Sequence, residues 1–339
     1  MKSKGVQTAK KNGKKKTKKG IGKGAKIFLV FLGLFGLMLV FYVVFDAVNK
    51  ALNASRTVNV AVDLEMGGSG DGPSQFKEPW GVATDSADHF YVADFGGQAI
   101  KEFNQGGDLV LSFGKPGKET GEFNQPSGLF VDSNGDIYVC DTFNHRIQKF
   151  DSKGNAIKTW SHGFFGPRSI CGDNLNRLYV ADTGNHKIQV FDPEGNFLME
   201  WGGFGTGDGK FREPVGVVAD NSGFVYVADS DNLRIQKFDS NGKFVSSFKV
   251  SSWRGKNEES PYLAINQGYL YVTNASSKVV LKYNLSGKLL AIFHKKDDKD
   301  GFSTATGVAV DRQNRLYVVE RGPGKVARFA IPTESSPVK

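Results

Sequence analysis

From residue 58 to residue 331 the chain alternates apolar and polar positions in short runs, each bounded by Gly, Asn, Asp or Pro, the pattern of short strands joined by turns. The runs recur in register. Six thirteen-residue windows begin Tyr-Val, at Tyr91, Tyr138, Tyr179, Tyr226, Tyr271 and Tyr317. They carry Ile or Val at the tenth place and an aromatic at the last, as in Ile147 and Phe150. The starts are 47, 41, 47, 45 and 46 residues apart, a period that indicates stacked supersecondary units sharing one core. Each window reads as two strands joined by a polar turn. A short apolar segment precedes each one (81–85, 128–132, 169–173, 216–220, 263–266, 307–311), and a further apolar run such as 196–201 follows a glycine-containing turn. Four short antiparallel strands per repeat make a propeller blade, and six repeats make a six-bladed all-β propeller.

The sixth repeat has no room for a fourth strand before Pro332 and the polar end. The segment 58–66 alternates like a strand, and the Gly-rich stretch after it, 67–81, matches 114–128 and 202–216, which follow the fourth runs of other repeats. The N-terminal strand is therefore expected to complete the last blade, removing the free edge at the seam.

Upstream of the repeats the pattern changes. Residues 27–45 contain no charge over nineteen positions, about 28 Å as a helix, and predict a transmembrane helix acting as a signal anchor. Residues 1–26 read as a disordered tail with eleven lysines and no acid, 46–57 as a polar spacer, 58–331 as the propeller and 332–339 as a C-terminal tail. Lysines before the span place the N-terminus in the cytoplasm and the propeller outside it. The net charge of +9 minus those eleven lysines leaves −2 for the rest, so a nucleic-acid footprint is not expected on the propeller. The tail itself suits anionic lipid headgroups.

The windows with Asp141-Thr-Phe-Asn-His-Arg-Ile147, Asp182-Thr-Gly-Asn-His-Lys-Ile188 and Asp229-Ser-Asp-Asn-Leu-Arg-Ile235 resemble NHL repeats. The resemblance covers roughly 58–331 and implies a six-bladed propeller. In the first window Gly97 and Ala99 replace the Asn and the basic residue, and in the last two Asn274 and Glu320 replace the Asp.

Repetition also sorts the candidate chemistry. Asp94, Asp141, Asp182 and Asp229 recur at one place, which is what a shared turn requires, so they are read as bonding the turn's own backbone. His145 and His186 are repeat-equivalent, whereas His89, His162 and His294 fall at unrelated repeat places and supply no third ligand beside them. Neither a nucleophile elbow nor a phosphate-binding loop is present. Catalytic residues, a metal and a cofactor are accordingly not assigned. Cys140 and Cys171 occupy places held by Ala in other repeats and read as small buried thiols.

The places that vary between repeats carry the functional expectation. Trp80, Arg168 and Tyr262 stand just before the first strand of their repeats, where they should ring the mouth of the central channel. The turns inside the windows open on the same face and add Phe95, Phe143, His145, His186 and Arg321. These eight residues are the expected binding surface, for another membrane or extracytoplasmic protein or for a ligand. The alternative is a metal-dependent lyase or lactone hydrolase with its site at the channel mouth.

Overall fold

The computed structural model describes residues 38–39, 41–46, 48, 56–250, 252–253, 261–296, 298 and 301–332. Residues 1–55 and 56–339 form two compact units. The lysine tail and most of the expected span lie outside the described residues. Its positions 38–39 and 41–45 are helical, and among the described residues no helix is long and apolar enough to cross a membrane.

The second unit is a six-bladed all-β propeller. After β1 (Thr57–Val60) and β2 (Leu64–Gly67), blade one is β3–β6 (Pro79–Thr84, Phe90–Asp94, Ala99–Phe103, Leu109–Phe113). Blade two is β7–β10 (Pro126–Val131, Ile137–Asp141, Arg146–Phe150, Ala156–Trp160), and blade three β11–β14 (Pro167–Gly172, Leu178–Asp182, Lys187–Phe191, Phe197–Gly202). Blade four is β15–β18 (Pro214–Ala219, Val225–Asp229, Arg234–Phe238, Phe244–Lys249), and blade five β19–β22 (Leu263–Asn266, Tyr269–Asn274, Val279–Asn284, Leu289–Lys295). Blade six contributes β23–β25 (Ala305–Val310, Arg315–Glu320, Lys325–Ala330). Neighbouring strands within each blade are antiparallel, with the first innermost and the fourth at the rim.

The window residues that recur are the core. Tyr138, Tyr179, Tyr226, Tyr271 and Tyr317 are fully buried, as are the aromatics that close most windows. Their apolar faces meet between blades rather than within one. Tyr91 and Ile100 of blade one pack with Leu129, Ile137 and Phe150 of blade two, and Phe90 and Val92 pack with Tyr317 and Val319 of blade six. The ring is therefore closed by the same packing at every joint, and no blade can bury its own face alone. The inner strands nearly touch: a Cβ on Gly128 would stand 2.4 Å from the Arg168 carbonyl oxygen, so glycine is required there for the close approach. Serine and threonine hydroxyls then tie neighbours together, Thr183 to the Pro214 carbonyl at 2.7 Å and Thr306 to that of Trp80 at 2.9 Å.

The N-terminal segment closes the ring, but not as one strand. β2 pairs antiparallel with β25 and supplies the missing fourth strand of blade six, whereas β1 pairs parallel with β22 and gives blade five a fifth strand. The expected strand 58–66 is broken at residues 61–63 because it serves two blades in succession, covering the rim edge of one before completing the other. Glu65 pins both, to Lys325 at 2.5 Å and to Lys295 of blade five at 2.6 Å.

Cys140 and Cys171 are buried and unpaired, and burial pushes both thiols well above the ordinary cysteine range, so they are unreactive in the folded ring.

Candidate functional site

The turns between second and third strands are built alike. In blade two, Asp141 ends β8, a single 3-10 turn covers Thr142–Asn144, and His145 takes a left-handed conformation at φ 54° before β9 begins. Blade three repeats this with Thr183–Asn185 and His186 at φ 56°. The Asp141 carboxylate accepts from Asn144 Nδ2 at 2.9 Å, Arg146 Nε at 2.7 Å and Gln148 Nε2 at 3.0 Å. It does not take the turn's own N–H groups as the sequence suggested, though Asp94 of blade one does, from Gly97 at 3.1 Å; the backbone donor to Asp141 is Asn124, 17 residues upstream, at 2.8 Å. Arg146 also donates to the carbonyls of Lys118, Glu119 and Glu122. The recurrent Asp, Asn and Arg therefore clamp the loop that delivers the chain from the rim of one blade to the axis of the next. Asp229 does the same in blade four; burial raises its carboxyl, opposed by hydrogen bonds from Arg212, Asn232 and Arg234.

At blade three the delivering loop is shorter. Its window starts 41 residues after the previous one, against 47 on either side, and Lys187 replaces the arginine, pairing with Glu200 at 2.6 Å instead. Phe164 is buried like its repeat equivalents Phe76, Phe123 and Phe211, and Phe165, which follows it, is 60% exposed. A cleft of about 500 Å³ results, lined by Phe143, His145, Phe165, Arg168, His186 and Glu213, among others. Phe143 is 50% exposed, and the His145 ring stacks on Phe165 at 5.5 Å. Each histidine accepts at Nδ1 from a backbone N–H of the next loop, His145 from Gly166 at 3.1 Å and His186 from Glu213 at 3.2 Å. That fixes the neutral tautomer with hydrogen on Nε2, leaving each ring a donor for a bound molecule. Arg168 adds a cation and Glu213 an anion, so the cleft combines apolar faces with a few directional polar groups, the make-up of a ligand or peptide site.

The remaining expected residues sit nearer the axis and are not exposed. Trp80, Phe95 and Tyr262 are buried in one cluster with Val215. Trp80 lies 4.4 Å from Phe95, with the Arg321 guanidinium 4.7 Å and the Arg168 guanidinium 5.6 Å from its ring centre. Tyr262 donates to the Arg168 carbonyl at 2.7 Å, and burial raises its hydroxyl. These side chains plug this end of the axis, since inner strands this close leave no open mouth. Below them a void of about 200 Å³ is bounded by Tyr262 and by apolar inner-strand residues such as Leu129, Ile170 and Val217. Phe143 bridges plug and cleft, 6.3 Å from Phe95 edge to face. The structure thus brings Phe143, His145, Arg168 and His186 together in the cleft, and places Trp80, Phe95, Tyr262 and Arg321 beside it as its support. Phe165 and Glu213 were missed because repeat comparison stopped at the place before the inner strand and at the window turns, although Phe165 aligns with Lys77, Asn124 and Arg212, and Glu213 with Glu78, Gln125 and Gly166. The shortened spacing before Tyr179 is the signal that marks the place.

Fold and cleft together define a repeat propeller with a cleft on the turn face. Four segments, 76–103, 123–150, 164–191 and 211–238, match the model of the NHL repeat, and these are blades one to four. No curated protein sequence matches the chain. Among solved structures, a streptogramin B lyase superposes with a TM-score of 0.57 at 12% identity, over 79% of this chain and 98% of the lyase. XC5397 of Xanthomonas campestris, a gluconolactonase, gives 0.59 at 15% identity, over 76% of this chain and 87% of the other. A chain of a nidogen/laminin complex gives 0.56 at 18% identity, over 68% and 84%. At these identities the likeness is one of fold.

Proposed function

We propose that this protein is a single-pass membrane protein that holds its propeller outside the cytoplasmic membrane and binds a protein or ligand through the cleft at blades two to four. The observation that carries the binding is the meeting, in one cleft of about 500 Å³, of two exposed phenylalanines, two tautomer-fixed histidines and Arg168. Exposed aromatics beside an arginine are the side chains that anchor interfaces. The uncharged run 27–45 and the lysines before it support the anchor and its orientation. The lysine tail is then placed against anionic headgroups on the inner leaflet. That a propeller of this fold is found in a nidogen/laminin complex supports a protein partner.

A second reading, a propeller lyase or lactone hydrolase, draws on His145 and His186 sharing the cleft and on the two enzymes among the structural neighbours. Among the described residues no group of three metal-ligating atoms within 4.8 Å of one another includes either histidine. The binding reading is preferred on that geometry.

One labelling experiment tests the proposal. With the native thiols buried, Phe165→Cys provides a single reactive site, and Asn134→Cys on the opposite turn provides a control. A membrane-impermeant maleimide should label both in intact cells, with Phe165→Cys slower in cells than in the purified chain because the partner covers it. Absence of labelling in intact cells contradicts the topology, and equal rates in cells and in solution contradict the covered cleft.

A further inference from the structure

At the face opposite the cleft, every blade brings three side chains together: one near the end of the inner strand, one two residues before the window Tyr, and one facing that Tyr from the third strand. In blade one they are Asp85, His89 and Glu102, with Tyr91 opposite Glu102. The corresponding sets are Asp132, Asp136 and Lys149 in blade two, then Asp173, Arg177 and Val190 in blade three. Blades four to six have Asp220, Phe224 and Lys237; Asn266, Tyr269 and Lys282; and Asp311, Arg315 and Arg328.

Each of those five sets contains a lysine or arginine, and the cation is used. Lys149 pairs with Asp136 at 2.8 Å, and the Arg177 and Arg315 Nε atoms donate to Asp173 and Asp311 at 2.8 and 2.6 Å. Lys237 and Lys282 lie 3.8 Å from the ring centres of Phe224 and Tyr269. Blade one alone has two carboxylates and no fixed cation. Among the described residues no Lys or Arg nitrogen pairs with Asp85 or Glu102. The Arg312 side chain donates to the Ser86 carbonyl at 3.0 Å, and its backbone N–H donates to Asp88 at 3.0 Å.

The geometry points to a divalent metal site on blade one, of the zinc type, with Asp85, His89 and Glu102 as ligands. One ligand atom from each lies within 4.8 Å of the other two, and His89 Nδ1 is 2.7 Å from Glu102 Oε1. Asp85 Oδ1 is already held by the N–H groups of Ala87 and His89, while Oδ2 takes only the Tyr91 hydroxyl at 3.1 Å. The carboxylate is thus oriented from one side and offers its other oxygen. The Glu102 side chain is 7% exposed, an anion for which an uncompensated burial is costly, while His89 at 31% leaves a path in from solvent. One imidazole with two carboxylates suits zinc better than magnesium or calcium, which prefer oxygen alone, and a water would fill the fourth place. Ligands on tetrahedral zinc stand about 3.3 Å apart, so the His89–Glu102 contact opens by roughly half an ångström. The hydrogen between those two atoms must leave Nδ1 as the ion enters, passing in the neutral ring to Nε2.

The test is equilibrium dialysis of the full chain against buffered Zn²⁺, with the bound metal counted, and thermal unfolding with and without the ion. One ion per chain is expected, raising the melting midpoint in proportion to the logarithm of its concentration above the dissociation constant. His89→Ala should weaken binding by more than the ~10- to 100-fold lost with an outer-shell partner. Glu102→Lys, which installs the residue that blades two, four and five carry, should abolish binding while leaving the ion-free melting midpoint unchanged or higher. A double His145→Ala, His186→Ala variant should keep the ion. Failure of the native chain to bind, unchanged affinity in His89→Ala and Glu102→Lys, or loss of the ion in the double cleft variant would each overturn the assignment.

Discussion

Gly128 and Ser169 occupy the same place in successive blades, and the difference between them shows what single residues decide here. A methyl on Gly128 would meet the Arg168 oxygen at 2.4 Å and the Ser169 Cα at 2.7 Å, backbone atoms that cannot turn aside. Gly128→Ala should therefore cost about 1–3 kcal/mol by overpacking and lower the calorimetric midpoint, whereas Ser169→Gly, which removes a side chain already accommodated, should cost less. Equal losses would show that the inner strands are not in the close contact described. The same tightness explains what the sequence could not reveal about Trp80, Phe95 and Tyr262. Their repeat positions place them near the axis, but whether an axial residue is exposed depends on how narrow the ring is, and that follows from glycines on neighbouring blades. His145, His186, Phe143 and Arg168 were legible because they differ from their repeat equivalents while the frame around them does not. Asp141 was legible as structural, though its chief backbone donor, on a distant loop, was not.

Among the elements, the N-terminal pair β1 and β2 carries the closure. A seam strand was readable from the missing fourth run of the last repeat; its division between two blades was not, since alternation in 58–66 is compatible with a single strand. The division places Glu65 between Lys295 and Lys325, and hydrogen bonds from both hold its carboxyl below the usual glutamate value. A lowered folded value means that the contribution is complete above the unfolded value of about 4.3 and is lost as pH falls through the folded one. Unfolding midpoints measured across this acid range should thus fall less steeply for Glu65→Gln than for the native chain. Glu320, raised by burial and in part by the Glu65 charge, responds in the opposite sense, and Glu65→Gln lessens that response, so the difference between the two profiles is smaller than Glu65 alone would give. An identical pH profile for the two would mean that the seam does not rest on this triad. The shortened loop before blade three is the other element that matters, because a deletion within a regular array leaves a gap that its neighbours cannot fill.

For the molecule as a whole, period and window pattern are enough to give six blades, since a repeat that cannot bury its own face must stack. Four of those blades match the NHL repeat, and the two that do not, five and six, are the ones where Asn274 and Glu320 stand in place of the clamping Asp. What a propeller binds is not written in its repeats, which must stay alike to stack, so it is carried by the irregular loops, where one sequence alone gives the weakest signal. If the cleft binds a partner, the turn face at blades two to four is the occupied one. Photo-crosslinking in native membranes, with a photoreactive residue at Phe165 or, on the opposite turn, at Asn134, tests this. One dominant adduct from Phe165, absent from Asn134 and lost when Phe143 and Arg168 are replaced by Ala, is the result expected. No adduct from Phe165, or the same adduct from both faces, would contradict it.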